Sequence, residues 1–254
     1  MLISQYLILY GLLLTAVVVH ELGHYVIARL LGIQIQGVYI FWSLGFHVFS
    51  THDAWFVKLF PTFAKKHEIC IGWIPLFAYV KFERLSDIDD CKPSLLHNQS
   101  PLSQLLVFAF GVLTNYVFAF ILCFGILHTK HISMPLSQVS KNAIELTNVG
   151  IASTVESISR DIRQTISPSS YKPKNVSTAY QGVHPQENVA SRMARRMQGN
   201  KYGSRIALYL MWINIGLVVF NCIPVPPLDG WHILRCISLI LIQLFKRCFT
   251  GCCT

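Results

Sequence analysis

The feature that most constrains this chain is the run from Leu102 to Leu127, 26 residues without a charged side chain. Wound as a helix it would reach about 39 Å at ~1.5 Å per residue, more than the ~30 Å hydrocarbon core of a bilayer. A segment apolar on every face has no solvated side to offer water. In lipid, a helix is one of the few backbones that satisfies all its own polar groups. Composition agrees. Of the 254 residues, 53% are apolar and 13% charged, where a soluble domain carries about 25% charged residues. Mean hydropathy is positive, +0.47. Disorder, a coiled coil and most water-soluble folds are excluded, and a polytopic membrane protein is expected.

Three further apolar stretches follow from the same reading. Leu2 to Leu31 is interrupted by His20, Glu21, His24 and Arg29, and it lacks the basic start and clean cleavage region of a signal peptide. Ile206 to Val225 runs into Pro224, Pro226 and Pro227, which must stop a helix. Ile233 to Phe245 is short and carries Arg235, as a half-span or a tilted helix would. The expectation is an all-α polytopic fold in one domain, 1–254. It would have core transmembrane helices at about 2–31, 102–127 and 206–225, a short fourth at about 231–245, and a small membrane-associated β-hairpin. The hairpin is expected between 32 and 101, where Ile69 to Phe82 is rich in β-branched and aromatic residues. Pro75 makes it an edge strand or a kinked hairpin. The connection at 128–205 opens with a helical pattern over Val139–Val155. Ile144, Val149, Ile151, Val155, Ile158 and Ile162 mark an apolar face that could lie in the membrane plane. After Pro168 it turns polar and irregular.

The net charge of +9 comes from Lys and Arg concentrated in Lys58–Lys92 and Lys130–Arg205, between apolar runs. Loops against anionic headgroups explain it, and no zinc-finger, RNP or helix-turn-helix pattern points to nucleic acid. Both long connections exceed the ~60 residues over which positive charge sets orientation. Eight cysteines form no C-x-x-C pair, and several sit within apolar runs as small hydrophobes.

His20-Glu-Leu-Gly-His24 carries the chemistry. Positions i and i+4 share a helix face, so both imidazoles can reach one ion, and Glu21 is offset toward an ion-bound water. Zinc would acidify that water, and the carboxylate could take its proton. Two His and a Glu inside an apolar helix need a partner to offset their burial. Two imidazoles and a water leave a tetrahedral ion one ligand short. Asp229, in Asn221-Cys-Ile-Pro-Val-Pro-Pro-Leu-Asp-Gly230, is the candidate. It also suits an N-cap for the last helix.

The chain resembles the site-2 proteases, a family of intramembrane zinc metalloproteases. His20–His24 matches the family's H-E-x-x-H and Asn221–Gly230 its N-x-x-P-x-P-x-L-D-G. Ser43-Leu-Gly-Phe46 resembles S-x-G-F, Ile74–Lys81 resembles I-P-L-G-G-Y-V-K, and Gly111–Asn115 resembles G-P-x-x-N. The resemblance implies His20, His24 and Asp229 as ligands of one zinc ion and Glu21 as the catalytic base. It further implies Asn221, Asn115, Tyr79 and Val80 as contacts to substrate, with the hairpin pairing an unwound strand. The substrate would be a membrane-anchored protein cut within or at the edge of its transmembrane segment, and the lipid bilayer the other partner. Three positions depart from the family pattern: Phe77-Ala78 for a double glycine, Val112 for proline, and Trp231 for a second glycine. Asn214 lies two residues further from Asn221 than the family's upstream asparagine. The 128–205 connection lacks the strands of a PDZ domain, so a PDZ-less form is implied. His232 falls three residues past Asp229, close enough to touch the site, while the remaining histidines sit in or near loops. An inactive descendant that binds transmembrane helices is the alternative, although it would have no need of Glu21. An ion transporter would show paired repeats, and none is seen.

Overall fold

The computed structural model describes residues 2–62, 68–82, 95–130, 134–166 and 202–250. The polar stretch after Pro168 lies outside the described residues up to 201. The elements in chain order are α1 (Leu2–Leu30), β1 (Ile35–Ser50), α2 (Ala54–Leu59), β2 (Glu68–Phe82), a 3-10 turn (Leu96–Asn98), α3 (Pro101–Lys130), α4 (Leu136–Ile166), α5 (Tyr202–Asn221) and α6 (Asp229–Thr250). They form two compact units, Met1–Asn115 with Phe220–Thr254, and Tyr116–Val219.

Among the described residues, two helical stretches, Tyr6–Leu30 and Pro101–Thr129, are long and apolar enough to cross a membrane. Arg205–Asn221 is apolar but shorter. Helix ends follow local chemistry. α1 is closed by Gly32 at φ 71, a left-handed conformation that glycine adopts at little cost, with the Ile33 N–H returning to the Ala28 carbonyl at 2.9 Å. α3 opens on Pro101, and the Ser100 hydroxyl accepts the Ser103 N–H at 3.1 Å. α5 stops at Asn221, short of Val225, because Pro224 has no N–H and restricts the residue before it. α6 runs to Thr250, beyond the expected 245.

In the first unit, Ile27, Ala28 and Ile33 pack on Val107, with Phe82, Leu96 and Phe110 around them. The sheet is larger than the expected hairpin, because β1 joins β2. Both strands bend, β1 at Phe41 (φ 68), so each contributes two segments and the sheet is open. Residues 38–40 face Val80, Tyr79 and Ala78 on one side, and Ile69, Cys70 and Ile71 on the other; Phe49 and Ser50 then cover Ile71 and Cys70. Tyr10 of α1 donates to the Gly72 carbonyl at 2.7 Å and ties helix to sheet. Exposed Phe46, Trp55, Leu59 and Phe60 cluster at α2 and the end of β1.

In the second unit Ala119, Cys123, Ala143, Met211 and Ile215 form the core. α4 packs through small residues. Val139, Ala143 and Thr147 are buried, and a Cβ on Gly150 would lie 2.8 Å from Ile215 Cδ1. Ile144, Val155 and Ile162, expected on one apolar face in the membrane plane, are exposed. Ala143 and Gly150 let the neighbouring helix approach closely at Met211 and Ile215.

Candidate metal centre

α1 presents His20, Glu21 and His24 at 7%, 5% and 6% exposure. The i, i+4 spacing sets the rings edge to face, with Nε2 atoms 3.1 Å apart. Asp229 opens α6, where its Oδ2 lies 2.9 Å from His20 Nε2 and 3.3 Å from His24 Nε2. The turn that delivers it is closed by backbone bonds, Ile223 to Phe220, Val225 to Ile223, Leu228 to Val225 and Trp231 to Leu228. Gly230 is required there, since a Cβ would lie 2.5 Å from the Ile223 carbonyl oxygen and 2.6 Å from the Cys222 backbone.

α3 orients the imidazoles. His24 Nδ1 lies 2.8 Å from the Val107 carbonyl. A carbonyl only accepts, so Nδ1 carries the hydrogen and the Nε2 lone pair turns toward Asp229. His20 Nδ1 lies 3.3 Å from the Asn115 amide. Gly111 makes room for both rings, because a Cβ there would overlap His24 and reach 3.0 Å from His20 Cε1. Gly23 does the same for the helix pair against Phe110 and Thr114.

The donor set fits a metal ion. Two imidazoles and a carboxylate offer three ligand atoms within 4.8 Å of one another, two of the residues buried and the third partly so, a set typical of zinc sites. Asp229 Oδ2 is near both rings in distance yet makes no hydrogen bond of acceptable geometry, as expected for an atom aimed at a shared point between them. Glu21 engages the Val80 backbone, and its Oε2 is buried without a hydrogen-bond partner. One carboxylate thus joins the donors, while the other stands beside them with an oxygen uncommitted.

Of the residues singled out in the sequence, His20, Glu21, His24, Asn115, Val80 and Asp229 gather here. Tyr79 points elsewhere. It is 53% exposed and stacks on Tyr39 at 5.1 Å, and Lys81 lies over the Tyr39 ring. Asn221 terminates α5, partly buried. Asn214 belongs to the second unit, where its amide donates to the Leu210 carbonyl of its own helix at 2.7 Å. His232 stacks its ring on Phe108 at 4.4 Å, and Phe108 in turn meets His24. Sequence reasoning missed the Val107 carbonyl, for which no side chain could signal. It also gave no role to Gly111, although the motif contained it.

Comparison with known proteins accords with this geometry. The sequence model of the family described as Peptidase family M50 matches residues 8–244. A Helicobacter pylori protein described as a "Putative zinc metalloprotease" is 30% identical over 136 residues, 50% of this chain and 35% of that protein. Proteins bearing the same description from Synechocystis and Nostoc are 35% identical over 118 residues and 30% over 151. These alignments cover 45% and 56% of this chain, and 29% and 38% of the relatives. The matched stretch therefore spans about a third of the length of these curated relatives.

Proposed function

Because the chain belongs to peptidase family M50, we propose that it is a zinc-dependent endopeptidase acting within the membrane on membrane-anchored proteins. The observation that carries this reading is the convergence of His20, His24 and Asp229 around one point, with Glu21 beside it. The three residues would hold one zinc ion, which when bound supplies a Lewis acid for the scissile carbonyl and an acidified water. Glu21, through its unpartnered oxygen, takes the proton of the attacking water and passes it to the leaving amine. The Asn221 amide is assigned to the substrate backbone or the developing oxyanion.

A transmembrane helix hides its carbonyls in its own hydrogen bonds, so the substrate must unwind before it is cut. The Tyr79–Val80 segment of β2 offers replacement bonds by strand addition, and Val80 already sits against Glu21. On this reading residues 1–254 work as a single domain, which the family match over both units supports. The protein is multi-pass, with three core crossings and α6 as a short fourth. Glu21→Gln tests the mechanism. Cleavage of a reporter transmembrane segment by the detergent-purified protein should fall about 10²–10⁴-fold while zinc content stays at one per chain. Cleavage at the wild-type rate would refute it.

A further inference from the structure

His20 and His24 are held at their far nitrogens by groups of different character. His24 Nδ1 meets a backbone carbonyl, which can only accept, so one tautomer is imposed. His20 Nδ1 meets the side-chain amide of Asn115, which both donates and accepts. Asn115 is fully buried, at 0% exposure, so in this conformation it faces the ring and no cleft.

In the arrangement seen here Asn115 Nδ2 is the atom toward the ring, 3.3 Å from Nδ1. The ring then accepts at Nδ1 and its own hydrogen sits on Nε2, which lies 3.1 Å from His24 Nε2. That tautomer has no Nε2 lone pair for an ion, and Asn115 Oδ1 is left buried with no partner. Turning the amide about its terminal bond exchanges Oδ1 and Nδ2 with almost no change in shape. Oδ1 would then accept from Nδ1–H, and the Nε2 lone pair would be free beside that of His24.

We propose that Asn115 is a positioning residue for the metal centre: by accepting from His20 Nδ1–H it selects the tautomer that makes His20 a ligand. The inference rests on the zinc reading above. It assigns Asn115 to the second layer around the ion, acting through His20 and not on substrate. Such partners fix ring orientation and raise the basicity of the ligating nitrogen, and their loss weakens metal binding about 10–100-fold.

The test measures zinc affinity by competition with a chromophoric chelator, on full-length protein in detergent. Asn115→Leu, which keeps the bulk and removes the acceptor, should raise the zinc Kd about 10–100-fold. Asn115→Asp, an acceptor of the same shape, should stay within about threefold of wild type, because a carboxylate serves Nδ1–H better than an amide does. A third comparison separates positioning from general damage. In a His20→Ala background, Asn115→Leu should cause no further loss, since its effect runs through that ring.

The proposal is overturned if Asn115→Leu binds zinc within threefold of wild type, as a substrate-facing asparagine would allow. It is equally overturned if Asn115→Asp is as weak as the leucine variant, or if the leucine penalty persists without His20. Failure of the wild-type protein itself to bind zinc is a different result, and it would remove the zinc reading along with this one.

Discussion

Thr147 and Asn214, in the unit spanning Tyr116–Val219, are buried as completely as Asn115 in the other unit, all three at 0% exposure. Their bonds differ in reach. Thr147 donates to Ala143 at 2.8 Å and Asn214 to Leu210 at 2.7 Å, each one turn back on its own helix. His24 meets Val107, 83 residues away in sequence, and His20 meets Asn115, 95 residues away. A polar donor satisfied within one helix, as Thr147 Oγ1 and Asn214 Nδ2 are, places no demand on the rest of the chain, although Asn214 Oδ1 is left buried without a hydrogen-bond partner. One satisfied across distant segments fixes those segments to each other. Burial alone therefore does not separate a structural polar residue from a functional one; the distance over which it is bonded does. The second unit is an ordinary packed helical core by this standard, and the first is organised around its polar centre.

That contrast can be broken most directly at Asp229. Asp229→Ala removes one of three donors and should weaken zinc binding by about 100-fold or more. Thr147→Val, equally buried in the other unit, should leave zinc affinity unchanged and cost less than about 1.5 kcal/mol. Equal loss of zinc in both variants would erase the distinction.

Glycines on the same helix sharpen it further. Gly111→Ala drives a methyl into the two imidazoles and should cost about 1–3 kcal/mol in thermal or denaturant unfolding, with weaker zinc binding. Gly125→Ala, four turns along α3, meets nothing within 4 Å. It should be neutral or stabilising by about 0.5–1 kcal/mol.

The smallest effect is expected at the sheet surface. Asp53 accepts from His47 Nε2 at 2.6 Å and from the Ser50 N–H at 2.8 Å. These bonds, the His47 contact foremost, hold its carboxyl below the ordinary value near 3.8. The sign follows: the contribution is complete above that ordinary value and is lost as pH falls through the lowered one. Amide-exchange protection of β1 should thus decline in strong acid, and Asp53→Asn should flatten the decline. An unchanged acid profile in that variant would show that Asp53 contributes nothing to the turn.

Much of the centre was legible because side chains announce it. The i, i+4 histidines must share a face, and charged groups inside an apolar helix require a partner. Asp229 could be paired with them because the two imidazoles leave an ion short of a ligand and the proline cluster frees backbone polar groups beside it. Residue types also allowed an N-cap, and the resemblance strengthened the ligand reading. Its carboxylate in fact faces the imidazoles. The Val107 carbonyl was illegible because every residue carries one. β1 was missed because Ile35–Ser50 continues the apolar character of α1 through residues that favour no obvious alternation, and its bend is set by pairing with two segments of β2. On α4 the larger aliphatics marked an apolar face, and Ile144, Val155 and Ile162 on it are exposed. Ala143 and Gly150, which pack against Ile215, give no comparable signal because small residues are common everywhere.

Among the described residues, the short outer segment Ala78–Phe82 pairs with β1 along one side only. A guest strand laid along it would be held by a few adjacent bonds acting together, so that each one keeps the next in place. On the proposed function, hydrolysis would sever that connection at the middle. Each fragment would then keep only its own few bonds and gain the freedom of an independent chain, so turnover itself would loosen the grip. A longer, fully paired platform would capture the same strand more firmly and release its halves more slowly.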